Sequence, residues 1–550
     1  MNGPVLHGGQ APLASAFEQD WGDRLKDLKS YGERRSRFQR LCQEILGGRR
    51  LLVASNRGPL EYFSTSGGEL RARRGRGGAS SALQPISQCC PITWVACAMS
   101  DSDRQVLANS GDSIVCSPFP GQDLLVRFIS PGKDEYHKYF NIFSNPLLWF
   151  LQHQMWNYPW TPNITEATYD AWYKGYSFVN RSIAAVVVEE ARREDAQPVI
   201  LLHDYHLYLA PGDIRRELPA ALIIHFTHAS WPDASHWQFL PKDMREPILR
   251  GLCASDIAGF QSHRSLSNFP YTCYALLEDA KVDFDAASVH VNGHTTWARC
   301  YPMSVDLAGV RRALGSPLLQ SAVEMLQPKF GEQTFIRVDR AEPSRNIVRG
   351  FKAFDRMLQR HPEMAGKVRF LAFLFSSCNR LWEYQRYVEE VAKLVGFVNR
   401  KHGTESWQPI EIVHENNYLQ NLAALTLYDV LLVNPVVDGM SLTAKEGPVA
   451  NKRAGVLVLS EGSGAYEQLR EGDLNVCPSD LEGTAQALYQ ALAIPEEERR
   501  RRQEALRRVI EAEDPALWLC RQLSDLLDLV GTKAGTGAEG TLPLGAPLPE

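Results

Sequence analysis

Asp438-Gly439-Met440-Ser441-Leu442-Thr443-Ala444-Lys445-Glu446 sets an acid and a glycine at the expected start of a helix. Backbone N–H groups at such a start lack intrahelical acceptors, and those of Gly439, Met440, Ser441 and Leu442 offer a seat for a diphosphate. Glu446, about two turns along, comes within reach of a ribose attached to it. The same pattern also arises where the glycine only makes a turn and the acid only caps the helix. Other stretches must therefore carry the case. Arg57 follows an apolar run in Ser-Asn-Arg-Gly-Pro, and Gly77 and Gly78 sit before an expected helix, where backbone can approach a phosphate closely. His203-Asp204-Tyr205-His206 and His228 end two successive apolar runs, and histidines repeated in this way favour a shared pocket over isolated structural side chains.

The elements that must position these groups are legible as short buried runs, each closed by a polar loop and followed by a helical pattern. Leu51–Ala54, VILLH, LIIHF and Ile257–Phe260 form one series; TFIRVDR, KVRFLAFLF, IEIV, the run Leu425 to Val433 and GVLVLS form another. This β/α alternation predicts an α/β fold of two doubly wound parallel-sheet, Rossmann-like domains facing across a cleft. Arg57 then falls at the carboxyl end of a strand, where ligands gather in open sheets. Arg71, Arg73 and Arg74 read as a solvated run. The expected layout is an N-terminal extension (1–48: a disordered start, then a helix spaced by Leu25, Leu28, Phe38, Leu41 and Ile45), an acceptor-side domain (49–306) and a nucleotide-side domain (307–515). A helix (516–530) then docks back on the first domain, and a low-complexity tail (531–550) ends the chain.

With 550 residues the chain exceeds one core, and two domains of roughly 200–250 residues is the natural division. Lys and Arg total 59 against 64 Asp and Glu, so no bulk charge draws the chain to nucleic acid or an anionic membrane. Phosphate recognition has to be local. The 11 cysteines are scattered without metal or redox spacing. No apolar run reaches about 18 residues and the N-terminus lacks a secretory core, so the expectation is a cytoplasmic protein. No Asp-x-Asp is read at a core strand end, and neither a metal nor a cofactor is expected.

With SNRGPL, GRGGASSAL, FSNPLLW, LLHDYHL, HFTHASWP, LRGLCASDIAGF, VDRAEPSRN and VDGMSLTAKEG in this order, the chain resembles the trehalose-6-phosphate synthase family, retaining glycosyltransferases of the GT-B fold. The resemblance spans residues 50–530. It implies a nucleotide sugar held mainly by the second domain, with Arg340 and Arg345 on the diphosphate, Asp438 on donor sugar hydroxyls and Glu446 on the ribose. It likewise gives Arg57 to an acceptor phosphate, Gly78 to the donor phosphate loop, Trp149 and Asp204 to the acceptor sugar, and His228 to the donor sugar. The catalytic set it implies is Asp204, His228, Arg340, Arg345 and Asp438, with a nucleotide sugar and a sugar phosphate as partners and self-association left open.

Three departures from the family pattern stand out. Arg345 replaces the usual lysine, keeping charge but not geometry. Phe140 stands where a phosphate-contacting tyrosine is usual, and has no hydroxyl to donate. Cys378 stands at a usual phosphate arginine, with Asn379 and Arg380 following, so Arg380 is the candidate substitute on the acceptor side. The main expectation is transfer of a sugar, glucose in the family, with retention. The alternatives are a relative that couples a nucleotide-activated cyclitol to an aminocyclitol phosphate, a glucosylglycerol-phosphate-type synthase, and a silent sugar-phosphate binder.

Overall fold

The structure, a computed structural model, describes residues 31–47, 50–65, 67–75, 87, 90–110, 114–119, 121–193, 197–375, 381–414 and 417–535. Gly77, Gly78, Cys378, Asn379, Arg380, Leu25, Leu28 and the tail beyond 535 lie outside the described residues.

Short apolar runs become strands because each is buried on both faces. In the first sheet the order in space is Lys281–Asp283, Ser288–Val291, His294–Cys300, Ile257–Phe260, Leu222–Phe226, Val199–His203, Leu51–Ala54, Ile92–Cys97, Leu124–Ile129 and Ile114–Cys116. From His294–Cys300 to Leu124–Ile129 the neighbours are parallel, with antiparallel pairs only at the two edges. The second sheet is parallel throughout, ordered Ile410–Val413, Val368–Phe375, Gln333–Arg340, Val430–Val433, Val456–Ser460 and Leu474–Val476.

Both sheets reverse their winding direction once. In the first, the reversal lies between Leu51–Ala54 and Val199–His203; in the second, between Gln333–Arg340 and Val430–Val433. At such a point adjacent loops run off to opposite faces and leave a crevice beyond the strand ends. The loops that leave these four strands carry Arg57, Asp204, Arg340 with Arg345, and Asp438.

Apolar layers cover both faces of each sheet. One layer of the first sheet is completed from the chain's two ends. Phe38, Leu41, Cys42 and Ile45 of helix Tyr31–Leu46 join Trp518, Leu519, Leu523 and Leu526 of helix Pro515–Gly535 against Leu51, Val53, Trp94 and Val126. Trp518 Nε1 donates to the Tyr301 carbonyl at 3.0 Å, which fixes the last helix to the first domain. The helix of the extension is thus part of that core.

Two expectations are corrected. The run Leu425 to Val433 is not one strand: helix Tyr418–Leu425 extends to Leu425, Thr426 N–H still bonds the Leu422 and Ala423 carbonyls, and the strand is Val430–Val433. A buried helix end and a buried strand are equally apolar, so composition cannot separate them. An Asp-x-Asp does follow a core strand, Asp101-Ser102-Asp103 after Ile92–Cys97, but its role is structural. Asp103 accepts from the backbone N–H groups of Tyr62, Met99 and Ser100, while Asp101 pairs with Arg104 and Lys133.

Candidate active site

One half of the candidate site is built on the second switch point. Arg340 ends its strand, and its guanidinium pairs with Glu342 at 2.9 Å. Arg345 follows in a single turn of 3₁₀ helix and reaches two acids: Nε to Glu342 at 3.4 Å and Nη1 to Asp438 Oδ2 at 2.7 Å. The planar fork meets the two carboxylates from separate nitrogens in a fixed geometry, whereas a lysine would have to serve both from one ammonium nitrogen. Burial works against the Arg345 charge, but Asp438 and Glu342 outweigh it and push its pKa up. Glu342 is only 1% exposed and, although it carries no assignment from the sequence, anchors both arginines.

Asp438 departs from expectation. Its side chain is buried, and both oxygens already have protein partners: Oδ2 takes Arg345 and the Ser441 hydroxyl, and Oδ1 accepts from Gly464 N–H at 2.8 Å. It faces core as much as cleft. Oδ2 has both its lone pairs engaged, whereas Oδ1, with one partner, can accept from one further hydroxyl. The helix proper runs Leu442–Ala450 with Ser441 at its N-cap, so Leu442 supplies its first amide and Met440 leads in from the loop.

Gly439 has a reason beyond any ligand. A Cβ there would come within 1.8 Å of the His228 carbonyl oxygen, and one at Gly464 within 1.7 Å of the Gly439 carbonyl oxygen. Three backbone segments from both domains therefore stack where only glycine fits. This contact brings His228 to the Asp438 loop.

In the first domain Asp204 follows strand Val199–His203 with φ 74° and ψ 170°, a region occupied almost only by glycine. The twist turns its carboxylate onto the next loop, where Oδ1 accepts from the N–H groups of His228 (3.2 Å) and Ala229 (3.3 Å). Burial raises its pKa to about 6, against the lowering effect of these bonds and of Arg340. Burial lowers His228 to about 3, so the ring is neutral at working pH.

Trp149 packs against His153 and Tyr205 with its ring tilted to both, and the Arg340 guanidinium lies 5.4 Å from its ring centroid, joining the two domains across the cleft. Phe140 is sandwiched between Tyr136 and His206, with ring planes within 10° at 5.7 and 5.8 Å. Tyr136 donates to Asn56 Oδ1 at 3.3 Å, one residue from Arg57. Arg57 is exposed and pairs with Glu61, and its charge adds to burial in holding His206 down to about 3. The structure thus brings Arg57, Phe140, Trp149, Asp204, His228, Arg340, Arg345 and Asp438 to one cleft through overlapping contacts. Arg71 and Arg73 stay on an outer hairpin, paired with Glu69 and Glu61.

Glu446 sits in the second turn of its helix, where Tyr418 donates a hydroxyl hydrogen bond to it at 3.4 Å. Burial raises its pKa to about 7 from 4.5, with Tyr418 acting in the opposite direction. A folded-state pKa above the unfolded one gives stability that is complete below about 4.5 and lost as pH rises through about 7. Glu446→Gln is therefore expected to match the parent in thermal unfolding at pH 4 and to exceed it at pH 8.5. A nucleotide-sugar titration of the parent should weaken as pH falls from 8 to 6, and that of Glu446→Gln should stay flat. Equal slopes would remove Glu446 from the ribose.

The chain is similar to known proteins in sequence and in fold. The family model described as glycosyltransferase family 20 matches residues 49–528. Validamine 7-phosphate valienyltransferase of Streptomyces hygroscopicus subsp. jinggangensis is 30% identical, over 87% of this chain and 94% of its own. The UDP-forming alpha,alpha-trehalose-phosphate synthase 2 of Aspergillus fumigatus is also 30% identical, over 88% and 98%. Among solved structures, an alpha,alpha-trehalose-phosphate synthase from Burkholderia vietnamiensis superposes with a TM-score of 0.71 at 25% identity, covering 87% of this chain and all of that one. An E. coli protein bound with UDP-2-fluoro glucose gives 0.73 at 24% identity, covering 87% and 98%, and supports the fold alone. With the family model matched over residues 49–528 and relatives 30% identical over most of both chains, this chain belongs to glycosyltransferase family 20.

Proposed function

We propose that the chain moves a sugar from a nucleotide diphosphate to a phosphorylated sugar acceptor with retention at the anomeric carbon, as a trehalose-phosphate synthase does. The observation that carries this is Arg340 lying over Trp149: the guanidinium meant for the leaving phosphate stands in one cleft with the acceptor's aromatic and with Asp204. In the reaction the acceptor oxygen bonds the anomeric carbon as the bond from that carbon to the phosphate oxygen breaks. The electron pair goes to the phosphate, and that phosphate takes the acceptor's proton on the same face. Arg340, Arg345 and the amides leading into Leu442–Ala450 stabilise the charge that grows there, Asp204 and Trp149 orient the acceptor, and no side chain need act as base.

A second reading has an observation of its own. Phe140 lies between two rings with no hydroxyl to offer a phosphate, and the valienyltransferase from Streptomyces is as similar as the fungal synthase. Coupling of an activated cyclitol to an aminocyclitol phosphate therefore remains the alternative.

A matrix of UDP-, GDP- and ADP-glucose against glucose 6-phosphate, glycerol 3-phosphate and an aminocyclitol phosphate, read by released nucleotide, separates these readings. Turnover with glucose 6-phosphate supports the synthase. Turnover only with the amine moves the chain to the coupling enzymes, and no turnover or hydrolysis with any donor leaves a silent binder. Phe140→Tyr is expected to lower the KM for glucose 6-phosphate about 5- to 10-fold, the gain of one hydrogen bond to a charged group less its desolvation. An unchanged KM would take Phe140 out of the phosphate's reach.

A further inference from the structure

We infer that Gln261 is a positioning residue for His228, held in place by the segment that joins the two domains. The inference rests on the reading above in which His228 touches the donor. Gln261 follows strand Ile257–Phe260 and is buried at the base of the cleft. Its Oε1 accepts from the Met303 backbone N–H at 2.8 Å, and its Nε2 lies 3.5 Å from His228 Nδ1. Met303 belongs to the connection between Cys300 and Asp306, and its carbonyl is gripped from the other domain by Lys445 Nζ at 2.6 Å. Lys445 is itself buried and makes a second bond to Gln468 Oε1 at 2.7 Å.

The bond from Met303 decides which way the Gln261 amide points. With Oε1 committed to an N–H donor, Nε2 faces His228 and can only donate. Nδ1 of His228 is then the nitrogen without hydrogen, and Nε2 carries it toward His203 Nδ1, 3.1 Å away. His203 is buried, and its Nε2 has no partner among the described residues. The other tautomers would spare that nitrogen its hydrogen but set two N–H groups, those of His228 and Gln261, against each other. The groups facing His228 are His203, His206, His225 and the backbone-bonded Asp204. Burial keeps the first three neutral, so Gln261 is the side chain free to bias the ring. The inter-domain connection therefore sets the tautomer of a cleft histidine through one amide, and Lys445 fixes that connection to the donor domain.

The test compares Gln261→Met, Gln261→Glu and His228→Ala in the full chain by donor KM and kcat, the pH profile of kcat, and histidine ring ¹⁵N shifts. Gln261→Met is expected to cost about 10-fold in kcat/KM and to move the ring ¹⁵N shifts toward mixed tautomers. Gln261→Glu keeps the bond to Met303 but places a carboxylate against Nδ1, so the acid limb of the kcat profile should move up by at least one pH unit as His228 gains a proton more easily. If His228→Ala is as active as the parent, the donor role of His228 fails. If His228→Ala is inactive while both Gln261 variants keep the parent's ¹⁵N shifts and pH profile, the positioning role fails and Gln261 is a core amide only.

Discussion

Arg345→Met is expected to lower kcat/KM by about 10²- to 10³-fold, the usual effect of removing a donor aimed at developing charge. The same change should also reduce stability by about 3–5 kcal/mol, because it strips a partner from two buried acids, Glu342 and Asp438. The double effect distinguishes this position from a surface phosphate contact. Arg345→Lys, which installs the residue usual at this place in the family pattern, retains charge but replaces the fork's separate nitrogens by one ammonium nitrogen, so the bonds to Glu342 and Asp438 weaken. It should recover most of the stability and leave a turnover defect of about 10-fold, since one charge-assisted bond is worth about 1.5–3 kcal/mol and the lysine regains part of it. Turnover with a matrix-selected donor, together with thermal unfolding, checks both. A folded Arg345→Met that turns over like the parent would place the diphosphate elsewhere.

At Asp204 the expected result is a contrast between two small substitutions. Asp204→Ala loses the carboxylate that accepts from His228 and Ala229, so it should destabilise by about 2–4 kcal/mol, the cost of two buried N–H groups left without their acceptor, while the strain of φ 74° is common to parent and variant and cancels. Asp204→Gly loses the same bonds but accepts that conformation freely, and the strain released, about 1–3 kcal/mol, should bring it within about 1 kcal/mol of the parent. Both variants should lose turnover about 10²-fold or more because the acceptor is no longer oriented. Equal stability of the two would mean that Asp204 is not strained. Full activity in the glycine variant would remove the acid from the acceptor.

Most of the scaffold was legible because strands buried on both faces are short apolar runs, and four of them lead into the loops that bear Arg57, Asp204, His228 and Asp438. Strand order was not legible, since nothing in TFIRVDR says that it lies between KVRFLAFLF and VLLV; pairing is decided by packing across the sheet. The position of the Asp438 motif between a strand and a helix start was legible, but the burial of Asp438 was hidden. Its partners Arg345 and Gly464 are 93 and 26 residues away, and the need for Gly439 comes from the His228 backbone of the other domain. Gln261 and Lys445 gave no signal because an amide and a lysine among apolar neighbours look the same whether they are buried or not. Asp204 concealed its backbone geometry because it is not a glycine, the residue that normally announces it.

The pairing of helices Tyr31–Leu46 and Pro515–Gly535 on one face of the first sheet has a consequence for synthesis on the ribosome. Domains generally fold in the order in which they emerge, yet here the first cannot finish first. Until Trp518, Leu519, Leu523 and Leu526 leave the exit tunnel, the face carrying Leu51, Val53, Trp94 and Val126 lacks its cover, while the second domain's sheet, closed by Val476, is already complete. The nascent chain therefore carries an open apolar face through the translation of the whole second domain, and a truncation that removes Trp518, Leu519, Leu523 and Leu526 strands the first domain, not the domain next to the cut.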